Sequence, residues 1–208
     1  MAAYLEAFLG RLFYSQRGRD AKLISRSIPS ITQLPATLLV TSPLGPSLSP
    51  LSHSHSQVGA NEFPPLSWSL NPNTDPELRD KIKSFLLVVE DPDAPLPSPV
   101  IHGIYYNIPP SKTEVRKEDF VEMSKGDDGS GQLLAGGFSY GVNRRKTIWG
   151  GPKPVLGHGV HRYFFQVVGL SERLETGAKI GRKELVGLLE GKVLVWGEWV
   201  GTYERKLE

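Results

Sequence analysis

Residues 83–108 constrain the fold more than any other stretch. The run Ser84-Phe85-Leu86-Leu87-Val88-Val89 is apolar and ends at Glu90-Asp91-Pro92-Asp93-Ala94-Pro95. Short β-branched-rich runs bounded by proline read as strands buried on both faces. Pro92 fixes its own φ and keeps Asp91 extended or in a turn, so a stiff loop carries two carboxylates off the end of a buried strand. Two roles fit such acids: capping of backbone N–H groups within a turn, or a built site. A second strand-like run, 100–108, follows with His102 near its start. On a two-residue period His102, Ile104, Tyr106 and Ile108 share one face.

The same arrangement recurs downstream. The loop Gly151-Pro152-Lys153-Pro154-Val155-Leu156-Gly157-His158-Gly159-Val160 runs into a strand beginning at His161. There His161, Tyr163, Phe165 and Val167 share one face, and Arg162, Phe164 and Gln166 the other. One histidine at a strand start is usually a core or rim residue. Two of them, together with two stiffly held acids, point to a common pocket.

Elsewhere, strands are expected at 36–41, at 64–70 with Leu66, Trp68 and Leu70 on one face, and at 192–200. A helix is expected at 182–190 and a helical turn at 117–123. Residues 42–61 read as a long Pro-, Ser- and Gly-rich loop, in which His53 and His55 read as solvated rather than as metal ligands. Lys125 to Gly131 reads as loop, and 201–208 as a polar tail with one helical turn at most. The glycine-rich stretch 133–151 has no Gly-Lys-Ser/Thr ending and so is not a phosphate-binding P-loop. Its Arg144-Arg145-Lys146 triplet reads as a solvated loop or as a means of steering an anion.

In residues 1–26, Leu5, Phe8, Leu9, Leu12 and Phe13 fall at helical spacing and predict an amphipathic helix, packed on its own domain or docked on a protein partner. Arg11, Arg17, Arg19 and Arg26 resemble a mitochondrial presequence, but Glu6 and Asp20 oppose one, and a cytoplasmic location is expected. The 17 prolines and 22 glycines favour a turn-rich β fold over a helical bundle. A net charge of +2 is too small to imply a nucleic-acid partner. The lack of cysteine excludes thiol catalysis, thiolate metal sites and disulfides. No apolar run is long enough for a transmembrane segment.

Asp91-Pro92-Asp93-Ala94-Pro95 with His102 and Asn107-Ile108-Pro109, then Gly151-Pro152-Lys153-Pro154 with His161-Arg162-Tyr163, resemble the two signatures of the phosphatidylethanolamine-binding protein family, in the family's order. The ending is similar to that of filamentous-fungal members. The resemblance covers roughly residues 35–208 and leaves 1–34 as an N-terminal extension carrying the amphipathic helix. It implies a mainly β fold, an antiparallel β-sandwich with a few peripheral helices. It also implies a ligand pocket lined by Asp91, Asp93, Pro95, His102, Pro154, His161, Tyr163 and Tyr203. No cofactor or metal is implied. Three departures stand out: Val100 and Ile101 replace an aromatic residue and a histidine, the loop before His161 is longer and carries His158, and residues 1–34 are added.

By resemblance, the expected role is binding of a small anionic or phosphorylated ligand of the phospholipid head-group type. One alternative is a part in fungal secondary-metabolite biosynthesis, of the maleidride anhydride-coupling type, with His102, His161 and Asp91 as the chemical groups. Another is inhibition of a protease, such as carboxypeptidase Y, or of a kinase. In the pocket, two imidazoles would offer N–H donors to the anion. One acid would fix a histidine tautomer and the other would face the ligand.

Overall fold

The computed structural model describes residues 1–72, 74–75, 77–123, 133–176 and 179–206; the loop expected at Lys125 to Gly131 lies outside the described residues. In chain order the elements are α1 (Ala2–Leu12), α2 (Ile24–Ser27), α3 (Pro29–Thr32), β1 (Leu38–Thr41), β2 (Ser49–Pro50), β3 (Leu66–Leu70), α4 (Glu77–Lys81), β4 (Ser84–Asp91), β5 (Val100–Ile108), β6 (Glu114–Val115), β7 (Ser139–Tyr140), β8 (His161–Leu170), α5 (Arg182–Leu188) and β9 (Val193–Tyr203). They form a six-stranded sheet of order β2-β9-β8-β4-β5-β7 and a three-stranded sheet of order β1-β3-β6. All pairings are antiparallel except β2 with β9. The fold is thus a mainly β sandwich with peripheral helices. Among the described residues no helix is long and apolar enough to cross a membrane.

Every residue of β4 is buried, because the large sheet is covered on both faces. Phe85, Leu87 and Val89 point into the inter-sheet core with Trp68, Tyr105, Phe165 and Trp199. Leu86 and Val88 point outward and pack beneath Ile24, Ile28, Ile31, Leu185 and Leu189. The N-terminal segment and α5 therefore supply the outer cover. Glu90, fully buried, fastens them there. It accepts hydrogen bonds from the Ile24 backbone N–H at 2.7 Å, Gln166 Nε2 at 2.9 Å and Arg182 Nε at 3.0 Å.

Three sequence expectations need correction. The face shared by His102, Ile104, Tyr106 and Ile108 does not exist, because β5 carries an extra residue at two places. Val89 pairs with Gly103 while Glu90 pairs with Ile101, which leaves His102 as the extra residue. Leu87 pairs with Tyr105 while Phe85 pairs with Ile108, and Asn107 there takes φ 61°. Such bulges re-aim side chains. Ile104 and Tyr106 join the outer cluster, Ile108 the inner one, and His102 meets Tyr163. The polar tail is not a helical turn at 201–203, since pairing of Tyr203 with His161 continues β9 to Tyr203. His55 is buried rather than solvated, with Nδ1 3.1 Å from the Glu62 carbonyl oxygen.

The two sheets approach closely where β1 crosses β9. A Cβ on Gly197 would overlap the Leu38 carbonyl oxygen, which is backbone and cannot give way. Gly197→Ala is expected to lower stability by about 1–3 kcal/mol, measurable as a reduced urea midpoint with an unchanged denaturant slope.

Candidate functional site

The loop after β4, the start of β5, the turn 150–155 and the start of β8 meet at one end of the large sheet. They enclose a cavity of about 310 Å³. Asp91, Pro95, His102, Pro154, His161 and Tyr163 line it, as do Val100, Ile101, Val155, Leu96 and Gly150. Arg144, Arg145, Lys153 and Gln57 also contribute. Two of the residues expected here sit elsewhere. Tyr203 lies opposite His161 on β9 and packs against the inter-sheet core. Asp93 turns away from the cavity, because Arg162 binds it from both sides: Nε reaches Oδ2 and a terminal nitrogen reaches Oδ1, each at 2.8 Å, and the Arg162 backbone N–H adds a 2.9 Å bond. Burial would raise the Asp93 carboxyl, but these contacts outweigh it and hold it below the usual carboxylate range.

Asp91 performs both roles that its sequence setting allows. Its Oδ1 accepts the backbone N–H groups of Asp93 at 2.7 Å and Ala94 at 3.1 Å, which shapes the Pro92–Pro95 turn. Its Oδ2 meets His161 Nδ1 at 2.8 Å and stands 3.9 Å from His102 Nε2. His161 is committed on its other side as well, with Nε2 2.7 Å from His158 Nδ1. The expected pair of imidazole donors is therefore not available to a ligand. Both nitrogens of His161 are used.

His102 differs. Its Nδ1–H donates to the Gly150 carbonyl, while Gly150 N–H returns a 3.0 Å bond to the His102 carbonyl. That fixes the tautomer and leaves Nε2, on a residue that lines the cavity, buried with no hydrogen-bond partner among the described residues. The Tyr163 hydroxyl is in the same situation. The two rings meet edge to face at 5.0 Å between centroids. Burial lowers the His102 pKa below the ordinary histidine value, against the opposing pull of Asp91. Burial, with Asp91 and Asp93 nearby, raises Tyr163 well above the usual phenol value. At neutral pH the cavity thus presents one imidazole lone pair and one phenolic O–H. Of seven buried side-chain polar atoms without a hydrogen-bond partner among the described residues, these two belong to residues that line this cavity; such an atom calls for a ligand, a water or an ion to complete its bonding.

The sequence reading passed over Asn143. It is buried, and its Nδ2 donates to the His102 carbonyl at 2.9 Å. Its Oδ1 accepts from the backbone N–H groups of Arg145 at 2.9 Å and Thr147 at 3.1 Å. One side chain thus ties the basic loop to the bulge in β5 and sets Arg144 and Arg145 beside the cavity. An asparagine between a glycine-rich turn and a basic triplet was the available signal. Lys153 and Gln57, also missed, carried no such signal.

The architecture is a mainly β sandwich with an Asp/His cavity at one end of its larger sheet. A family model described as phosphatidylethanolamine-binding protein matches residues 42–204, and the chain belongs to that family as a fungal-type member. It is 40% identical over 204 residues to "Phomoidride biosynthesis cluster protein B" of Fungal sp. strain ATCC 74256, covering 96% of this chain and 94% of that one. The protein of the same name from Talaromyces stipitatus is 37% identical over 207 residues, with 97% and 82% covered. The solved structure of Escherichia coli YbcL superposes with a TM-score of 0.63 at 27% identity, over 81% of this chain and 99% of that one. Similarity to the two fungal proteins extends into the residues before 42.

Proposed function

We propose that this chain serves a fungal biosynthetic pathway by binding a small carboxylate-bearing intermediate with an aliphatic body, whose anionic end meets His102 Nε2 and the Tyr163 hydroxyl. The observation that carries this reading is the pair of buried, unpartnered polar atoms on the cavity lining. The side walls support the aliphatic body: Val100 and Ile101 stand where the family has an aromatic residue and a histidine, and Leu96 and Val155 add to them. Arg144, Arg145 and Lys153 raise the local concentration of an anion. The relatives named for a phomoidride cluster support the pathway assignment.

A resting neutral His102 can accept a proton from an acidic ligand. To donate to a carboxylate it must first gain one, and Asp91 at 3.9 Å stabilises the resulting imidazolium. Anion affinity should therefore rise as pH falls. Because the His102 pKa lies below the ordinary value, affinity is expected to fall as pH rises through the neutral range, by at most about tenfold per pH unit.

The test compares succinate, 2-octylsuccinate, inorganic phosphate and glycerophosphoethanolamine by calorimetry between pH 5.5 and 8. The alkyl succinate is expected to bind tightest, at about 0.8 kcal/mol per methylene that enters the cavity. His102→Gln should remove the pH dependence. Tighter binding of glycerophosphoethanolamine would assign the cavity to lipid head groups instead. Affinities unaltered by His102→Gln would overturn the reading.

A further inference from the structure

His158 lies outside the family signature, yet it is fully buried and hydrogen-bonded to the site. Gly157 at φ 74° and Gly159 at φ 85° flank it and let the chain turn its ring inward. Its Nε2 is 2.8 Å from the Phe13 carbonyl oxygen, just beyond α1. The helix is held there by Glu6, which accepts from the Leu156 N–H at 3.2 Å and from Arg205 at 2.7 Å. A Cβ on Gly10 would overlap the Leu156 carbonyl oxygen, so this close seating depends on glycine.

The contacts form a continuous chain: Phe13 carbonyl, His158, His161, Asp91. A carbonyl only accepts, so His158 Nε2 carries a hydrogen. The His158–His161 contact needs a second, and the His161–Asp91 contact a third. Two neutral imidazoles and a carboxylate supply only two. The chain as built therefore holds one extra proton, and removing it would leave two lone pairs facing each other. The groups around His158 are the Phe13 carbonyl, Tyr14 and Arg17 from the N-terminal segment, His161 from β8 and Asp91 beyond it. Burial, His161 and Arg17 oppose a charge on His158 and hold its pKa below the ordinary histidine value, against the pull of the Phe13 carbonyl and Asp91.

We propose that His158 is a positioning residue: it binds the Nε2 side of His161, shares one extra proton with it, and so leaves His102 as the sole imidazole that answers to a ligand. The N-terminal segment completes the arrangement through the Phe13 carbonyl. The inference rests on the ligand reading above for its functional meaning, but its structural part is observable with no ligand present.

The test is a long-range 1H–15N spectrum of the full chain, labelled at histidine. At pH 7.5 the wild type should show three N-bound hydrogens over His158 and His161, and adding succinate should move His102 alone. His158→Ala should leave a bare, pyridine-like Nε2 on His161. With the extra proton gone, Asp91 acts on His102 uncompensated, and the pH midpoint of anion affinity should move up by about one unit. His158→Asn, which keeps an acceptor for His161 Nε2, should restore the wild-type His161 spectrum and midpoint. Only two N-bound hydrogens over His158 and His161 in the wild type, or identical midpoints in all three proteins, would overturn the proposal. If the proton count is as stated but no anion binds, the ligand reading fails alone.

Discussion

Asp91→Ala is expected to cost about 3–5 kcal/mol of stability and to abolish the response of the site to anions. Asp91 is 3% exposed, and each of its oxygens has separate work. Without Oδ1, the buried N–H groups of Asp93 and Ala94 lose their acceptor and the acid loop loses its shape. Without Oδ2, the buried His161 Nδ1–H loses its acceptor. Leaving buried donors unsatisfied costs more than their bonds contribute. Urea unfolding monitored by tryptophan fluorescence measures the effect. A loss below about 1 kcal/mol would show that neither set of bonds matters as described.

Asp93→Ala should come second, at about 2–3 kcal/mol. The carboxylate accepts the Gly18 N–H at 3.2 Å besides its bonds to Arg162, while Arg162 also reaches Asp20 at 2.8 Å through each terminal nitrogen. Arg162 is about one-third exposed, so solvent screens part of this network, which sets the expectation below that for Asp91. The larger signature should be local: backbone amides of residues 17–22 lose hydrogen-exchange protection while those of β4 and β8 keep theirs. The pH dependence follows from the lowered Asp93 pKa. Its stabilising contribution is complete above the ordinary carboxylate value and is lost as pH falls through the depressed one. Wild type and Asp93→Ala should therefore converge in stability in acid. A gap that persists unchanged to low pH would exclude this carboxylate as the cause.

How far the structure could be read in advance depends on period and punctuation. β4 is legible because a dense β-branched run ended by proline has few other outcomes. β8 keeps a strict alternation, with Tyr163, Phe165 and Val167 in the inner core and Phe164 and Val168 on the outer side. The proline-bounded acids and the two strand-leading histidines brought most of the cavity to view. The faces of β5 were hidden, because an extra residue at His102 and another near Asn107 leave no trace in hydrophobic period. The roles of the two acids were hidden too. Asp91 and Asp93 are equivalent in a linear reading, and only Arg162 on the neighbouring strand decides which one turns away. The N-terminal cover was underread for a similar reason. Leu23, Ile24, Ile28 and Ile31 are each buried, but Pro29 splits them between α2 and α3, so no helical stripe forms.

The claim on which the site depends is that His102 Nε2 is a neutral, unpartnered acceptor that takes up a proton when an anion binds. Calorimetric titration of the full chain with 2-octylsuccinate at pH 7.5, in two buffers of different ionisation enthalpy, counts that proton directly. Uptake approaching one proton per anion bound, absent in His102→Gln, is the expected result. Zero uptake in the wild type, or equal uptake in both proteins, would contradict it.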